Sequence, residues 1–146
     1  MQITIDIPIE PVAQKRHRHT SRGNFVTVYD PSKKDKENIA NLCRYASPLE
    51  PFSSAVSVDL TFWFERPKSH FGTGKNANKV KVSAPVEHTK KPDIDNLQKI
   101  LFDALNGVFW SDDSIITQVN AKKLWSASAG HIRIAIKEVD SDDSQL

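Results

Sequence analysis

Residues 90–99 read Lys90-Lys91-Pro92-Asp93-Ile94-Asp95-Asn96-Leu97-Gln98-Lys99, and they begin the strongest helical pattern in the chain. Apolar residues recur at helical spacing from about Ile94 to Asn106, and Asn106-Gly107 is a typical C-terminal stop. The predicted buried face consists of Ile94, Leu97, Ile100, Leu101, Ala104, Leu105 and Val108. The sequence therefore predicts an amphipathic helix that begins directly beside two carboxylates.

Patterns on either side of this helix predict the rest of the fold. A second helix is expected to start at Asp30-Pro31-Ser32, with the aspartate as cap and the proline at the first helical position, and to end before Pro48. Alternation of apolar and polar residues predicts five strands, over Gln2 to Ile7, Phe25 to Tyr29, Ala55 to Glu65, Ile115 to Trp125 and His131 to Val139. The last two are expected to be antiparallel.

Three segments lack such periodicity. Residues 15–23 and 68–91 are expected to be basic loops, and residues 141–146 a disordered acidic tail. The prediction is one α+β domain over residues 1–140, in which helices pack against a mixed β-sheet.

Composition narrows the class of protein. The chain has 146 residues, 26% of them charged and 38% hydrophobic, which is typical of a globular domain with a real core. No apolar run is long enough to cross a membrane, and the N-terminus lacks the pattern of a signal peptide. The single cysteine, Cys43, excludes a disulfide framework and a Cys-rich zinc site. We therefore expect a cytoplasmic protein with no membrane partner.

The net charge is only +2, but the basic residues are clustered. Between Val12 and Gly23 there are four basic residues, two histidines and no acid, and between Arg66 and Lys91 the only acid is Glu87. Such clusters indicate a nucleic-acid surface, although solvated loops would have the same composition. The residues predicted to bind DNA are Lys15, Arg16, Arg18, Lys90 and Lys91.

The acidic residues beside the main helix predict a metal site. In extended backbone Asp93 and Asp95 share a face, whereas on a helix they would stand about 200° apart. A further pair, Asp112-Asp113, precedes the Ile115 strand, and a returning strand can bring a third carboxylate back to the first two. Carboxylates from separate elements suit Mg²⁺. The alternative is that one aspartate only caps the helix.

Lys99 lies four residues after Asp95, on the same stripe as Asp103. It is predicted either to act on a substrate phosphate or to form an ordinary ion pair along the helix surface.

These residues resemble the RusA family of Holliday-junction resolvases, whose pattern is D-x-D-N-L-x-K, then F-D-A-L, then W-x-D-D. This chain has Asp93-Ile94-Asp95-Asn96-Leu97-Gln98-Lys99, Phe102-Asp103-Ala104-Leu105 and Trp110-Ser111-Asp112-Asp113. The resemblance implies a homodimer that cuts branched DNA with Mg²⁺ or Mn²⁺, with Asp93, Asp95 and Asp113 as essential aspartates and Lys99 as essential lysine. The choice between Asp112 and Asp113 stays open. Many members come from phages or prophages, and we expect the same here.

The expected function is therefore Mg²⁺-dependent resolution of four-way DNA junctions by paired symmetric nicks, in recombination and repair. Two alternatives share the same sequence features. One is a catalytically silent dimer that binds branched DNA, and the other is a Mg²⁺ nuclease without branch preference.

Overall fold

A four-stranded mixed sheet forms the centre of the fold in the computed structural model, which describes residues 1–140. The elements in chain order are β1 (Gln2–Ile7), β2 (Arg18–Arg22), β3 (Phe25–Tyr29), α1 (Lys33–Cys43), β4 (Val56–Glu65), α2 (Ile94–Leu105), β5 (Ile116–Ser126) and β6 (His131–Glu138). The strand order is β1-β6-β4-β5. β5 is parallel to β4, and both other neighbouring pairs are antiparallel.

Both helices pack against the apolar face of this sheet. Alternate residues of β4 and β6 are buried, as their period-two pattern predicts. Five predicted residues of the α2 face are buried, while Ile94 and Val108 are half-buried. The largest fully buried side chains are Trp110, Phe62 and Phe109. The predicted α+β fold and mixed sheet are confirmed.

The prediction for the last two strands is partly wrong. β5 and β6 run in opposite directions, but they do not pair, because β4 lies between them. The reason is the α2 connection: a strand, a crossover helix and a second strand place β5 parallel to β4. β6 then occupies the free side of β4. α2 packs against β5 and against α1.

Two local predictions are also corrected. Residues 18–22 were expected to be loop, but they form β2 and pair with β3. The N-cap position of α1 is Ser32, two residues after the predicted Asp30, and the Ser32 side chain makes no capping hydrogen bond. Asp30 instead accepts a hydrogen bond from the Ser32 amide at 2.9 Å and contacts the Lys36 ammonium at 2.6 Å. Those contacts, the one with Lys36 foremost, lower the pKa of Asp30 to about 2.

The remaining predictions fall on connecting segments. Residues 68–91 contain only two short 3-10 turns, Lys68–His70 and Gly74–Asn76, and isolated bridges, as expected for a long loop. The proposed tail, 141–146, lies outside the described residues. None of the helices within residues 1–140 has the length and apolar character needed to span a membrane.

Candidate active site

The start of α2 presents two carboxylates that pair with no other group among residues 1–140. Asp93 is the residue preceding the helix and has extended backbone (φ −72°, ψ 147°), yet its side chain accepts no capping hydrogen bond. Asp95 follows in the first turn and is exposed. Neither carboxylate has an ion-pair or hydrogen-bond partner among residues 1–140. The capping alternative is therefore not realised.

Asp93 lies at the edge of a cleft of about 520 Å³ between the start of α2 and the second half of β5. The segment before α2 runs along the outer edge of β5, where the His88 amide donates to the Lys123 carbonyl at 3.0 Å. The Lys123 ammonium in turn donates to the carbonyl of Lys90. The residues lining the cleft are Glu87, His88, Thr89, Asp93, Ile94, Ala121, Lys122, Lys123 and Leu124. Carboxylate and ammonium groups thus meet on one concave surface.

His88 forms part of the inner wall of this cleft. Its ring is stacked on Phe64 at a centroid distance of 3.9 Å and lies tilted by 49° against Trp125 at 4.3 Å, and only 7% of the residue is exposed. Burial, followed by the charge of Lys123, lowers the pKa of the imidazole and so favours its neutral form. Three cleft residues, Lys122, Lys123 and His88, were not among the site residues predicted from the sequence. They line the cleft because β5 lies beside the start of α2, and no local motif indicates which strand takes that position.

Lys99 is exposed one turn beyond Asp95 and forms no ion pair within the part of the chain that the structure describes. The neighbouring acid on its stripe, Asp103, contacts Lys36 of α1 at 3.3 Å instead. The predicted alternative, a simple pair with Asp95 or Asp103, is therefore absent. The ammonium is therefore exposed to solvent and unpaired within the described residues.

Asp112 and Asp113 have different environments in the short 3-10 turn that precedes β5. The Asp112 side chain accepts a hydrogen bond from the Ser114 amide at 3.1 Å, and hydrogen bonding from Ser114 lowers the pKa of this carboxyl. Asp113 is half-buried and its side chain has no such bond among the described residues. Asp112 thus stabilises the turn, whereas the Asp113 carboxylate has no hydrogen-bond partner within the described residues.

One chain does not bring Asp113 to the other two carboxylates. α2 has 12 residues and is about 18 Å long, and β5 reaches the cleft only at Ala121. Gly107 adopts φ +77°, and its backbone N–H donates a hydrogen bond to the Trp110 carbonyl at 2.7 Å. These two features turn the chain immediately after α2, so Asp113 lies near the end of the helix opposite to Asp93. Within residues 1–140, no three His, Cys, Asp or Glu side chains are close enough to hold a metal ion together. The expected return of the third carboxylate does not occur within one chain.

The basic segment before β2 is attached to the acidic end of α2. The Gln14 amide donates to the Asn96 carbonyl in the first helical turn at 3.0 Å, and the Lys15 amide donates to the Ser32 hydroxyl at 2.9 Å. The side chains of Lys15, Arg16 and Arg18 are exposed. Lys90 and Lys91, also exposed, directly precede Asp93 on the other side. The predicted DNA-binding residues therefore flank the Asp93–Asp95 pair.

Comparison with known proteins gives the family. The family model described as endodeoxyribonuclease RusA matches residues 8–137, which is most of the chain. This chain belongs to the RusA family. Among RusA relatives, the uncharacterized protein YqaN of Bacillus subtilis (strain 168) is 31% identical over 134 residues, covering 90% of this chain and 93% of that protein.

Two further relatives are named crossover junction endodeoxyribonuclease RusA, one from Escherichia coli (strain K12) and one from Shigella sonnei (strain Ss046). Each is 29% identical over 65 residues, which is 44% of this chain and 54% of the relative. The alignment with these two named enzymes thus spans about half of their length, while the family match extends over nearly the whole chain.

Proposed function

We propose that this RusA-family chain is a Mg²⁺-dependent endonuclease that hydrolyses phosphodiester bonds at four-way DNA junctions. The observation that carries the proposal is the Asp93–Asp95 pair at the start of α2, which has no other partner among residues 1–140 and is flanked by basic residues on both sides. A protein that only bound DNA would gain nothing from unpaired carboxylates at this position, since they repel phosphate. The names of the two enzyme relatives support junction cleavage as the reaction.

The donor set fits a hard divalent cation. Asp93 and Asp95 are exposed carboxylates with no competing hydrogen bonds in residues 1–140, and Mg²⁺ is bound in proteins through one or two such groups together with waters and substrate phosphate. Mn²⁺ accepts the same oxygen ligands. When bound, the ion neutralises charge on the phosphate and lowers the pKa of a coordinated water.

The chain's own residues bind and orient the DNA. The Lys99 ammonium, one turn from Asp95, stabilises the negative charge that develops on the scissile phosphate. Lys15, Arg16, Lys90 and Lys91 bind the neighbouring phosphates and so determine which bond enters the site. The first turn of α2 adds backbone amides that have no helical partner and favour an anion.

The third carboxylate is supplied in this proposal by a twofold dimer. Asp113 lies near one end of α2 and the Asp93–Asp95 pair at the other, so two chains related by a twofold axis can each complete the site of the other. The dimer then carries two identical sites, as paired nicks in strands of like polarity require. Each site is incomplete in an isolated chain.

Single-turnover cleavage of a labelled junction that cannot branch-migrate tests the proposed function. The wild-type chain should nick this junction symmetrically with Mg²⁺, do nothing in EDTA, and leave a linear duplex of matched sequence intact. Asp95→Asn should lower the rate at least about 100-fold, because the ligand charge is lost while the shape remains. Asp59→Asn, an exposed acid on β4, is the matched control and should cleave normally.

Two results would replace the proposal with an alternative. Equal cutting of the linear duplex would indicate a nuclease without branch preference. Tight junction binding by the wild-type chain, with no Mg²⁺- or Mn²⁺-dependent nick, would indicate a silent binding protein.

A further inference from the structure

The β2–β3 hairpin is an exposed arm whose strand residues contribute nothing to the hydrophobic core. All ten residues of the two strands are exposed, including Phe25 at 78% and Tyr29 at 42%. Gly23 adopts φ +59° at the first position of the two-residue Gly23-Asn24 loop, as in a type II′ hairpin turn. An isolated two-stranded hairpin is only marginally stable in water. Its large exposed side chains therefore indicate a contact outside this chain.

The register divides the hairpin into two chemically different faces. Arg18 is paired with Tyr29 and Arg22 with Phe25, and directly opposite residues of an antiparallel pair project to the same side. This aromatic–arginine face also contains the Thr20–Thr27 pair. The other face carries the His19–Val28 and Ser21–Val26 pairs and has no phenylalanine, tyrosine, tryptophan or arginine.

Charge indicates what the aromatic–arginine face binds. There is no acid between Pro11 and Tyr29, while Lys15, Arg16, Arg18 and Arg22 all lie in that span. Two copies of this face would repel each other, whereas a polyanion would be attracted to it. Arginine beside exposed aromatic rings is the combination with which proteins bind nucleic-acid strands, the cations contacting phosphates and the rings stacking on bases.

The base of the hairpin is rigidly attached beside the catalytic carboxylates. Asp30, at the end of β3, accepts hydrogen bonds from the Gln14 side chain at 3.0 Å and from the Ser32 amide at 2.9 Å. Gln14 also bonds to the first turn of α2 through its amide. Since Arg18 follows Gln14 by four residues, it lies within about 14 Å of that attachment. The arm therefore extends from the rim of the active site.

We infer that the aromatic–arginine face of the hairpin binds the branch point of the DNA, where Phe25 and Tyr29 stack on bases that have lost a stacking neighbour. The inference rests on the proposed function and supplies its substrate selectivity. In a continuous duplex every base is stacked on both sides, so exposed rings gain little there. At a crossover the stacks are interrupted, and opening a base costs least where its stacking is already broken. The distance between the arm and Asp95 then places the nick near the branch.

Binding measured without divalent ions tests the inference separately from cleavage. The variant Phe25→Ala/Tyr29→Ala should bind an immobile junction about tenfold more weakly or worse, while its affinity for a linear duplex stays within about twofold, because base stacking is lost and the cations remain. The control Val26→Ala/Val28→Ala truncates the same strand on the opposite face and should bind both DNAs normally. Melting curves of both variants should match the wild type, since these side chains are exposed.

Photo-crosslinking locates the contact directly. A 5-iodouracil base at the branch point should crosslink to residue 25 or 29, and the same base in the middle of an arm should not. Crosslinks to the mid-arm position, an equal loss of junction and duplex affinity, or dissociation of a dimer by Phe25→Ala/Tyr29→Ala in the absence of DNA would each overturn the inference. The last result would assign the face to a second copy of the chain.

The same samples distinguish the two proposals. Junction cleavage by the wild-type chain without a branch-point crosslink would remove only the role of the hairpin. A branch-point crosslink without metal-dependent cleavage would remove only the nuclease activity.

Discussion

At the scale of single residues, availability distinguishes the candidate catalytic groups from the other charged groups around them. Asp30 and Asp103 both contact Lys36, and Asp112 accepts a hydrogen bond within its own turn. Asp93 and Asp95 have no such partner among residues 1–140. A carboxylate whose charge is already compensated by a lysine attracts a cation less strongly, so the unpaired aspartates are the better ligands.

Replacing Lys99 separates a catalytic role from a structural one. Because this lysine is exposed and has no ion pair among residues 1–140, Lys99→Ala should change the free energy of unfolding by less than about 0.5 kcal/mol. If it stabilises charge on the phosphate, the single-turnover cleavage rate should fall about 100-fold or more. Lys34→Ala, at an exposed position of α1, is the control. Normal cleavage by the Lys99 variant would assign the residue to ordinary solvated surface.

Asp93, Asp95 and Lys99 of the candidate site could be singled out from the sequence, because their spacing relative to the start of α2 is local information; their roles stay predictions. What the sequence left open was which of Asp112 and Asp113 is free. That depends on a single hydrogen bond in the turn, from the backbone N–H of Ser114 to the carboxylate of Asp112. Lys122 and Lys123 were not predicted, since only the position of β5 brings them to the cleft.

At the scale of elements, the short turn before β5 gives its two aspartates separate tasks. Asn keeps an acceptor oxygen for the Ser114 amide, so Asp112→Asn should keep the turn and cleave within about threefold of the wild type. Asp113→Asn should lose at least about 100-fold in cleavage rate, because it removes a ligand charge. Rates measured with both variants on the same junction decide between the two. Equal losses would mean that the turn, not one carboxylate, is what the reaction needs.

The elements that sequence patterns predicted well are those with an apolar face. β1, β4 and α2 have nearly the predicted bounds because each buries a periodic set of side chains. β3 was predicted from its apolar residues, although all five of its residues are exposed. β2 was missed because Arg18 to Arg22 contains no apolar residue and is a strand only through its backbone pairing with β3. A strand without apolar residues leaves no hydrophobic period in the sequence.

At the scale of the whole molecule, the separation of Asp113 from Asp93 makes the dimer a chemical requirement of the proposed mechanism. Subunits carrying Asp95→Asn and subunits carrying Asp113→Asn should each be inactive alone. In a mixed dimer, one site contains both substitutions and the other contains neither. The mixed dimer should therefore regain nicking at one of its two sites.

Differently tagged subunits allow the mixed dimer to be purified and assayed on the labelled junction. If each site were built within one chain, both sites of the mixed dimer would carry a substitution and no nick would appear. Sedimentation of the wild-type chain at twice the monomer mass is the accompanying measurement.

Overall topology was only partly predictable. The strand types and the mixed sheet followed from periodicity, but the position of β4 between β5 and β6 did not, because pairing partners depend on how the crossover helix packs. The distance between the carboxylates follows from that order. The 12 residues of α2 lead the chain away from Asp93, and the turn at Gly107 follows the far end of the helix. Asp113, just before β5, therefore lies near that far end.

The position of β6 also determines when the sheet can form during synthesis of the chain. β1 emerges first from the ribosome, yet its sheet partner β6 is the last of the described strands, with Gln2 opposite Lys137. β6 also separates β1 from β4, so a nascent chain that lacks it can form the β4–β5 pair but not the complete sheet. Synthesis through β6 is thus a condition for the complete sheet, and β1 has no partner in this sheet until β6 has emerged.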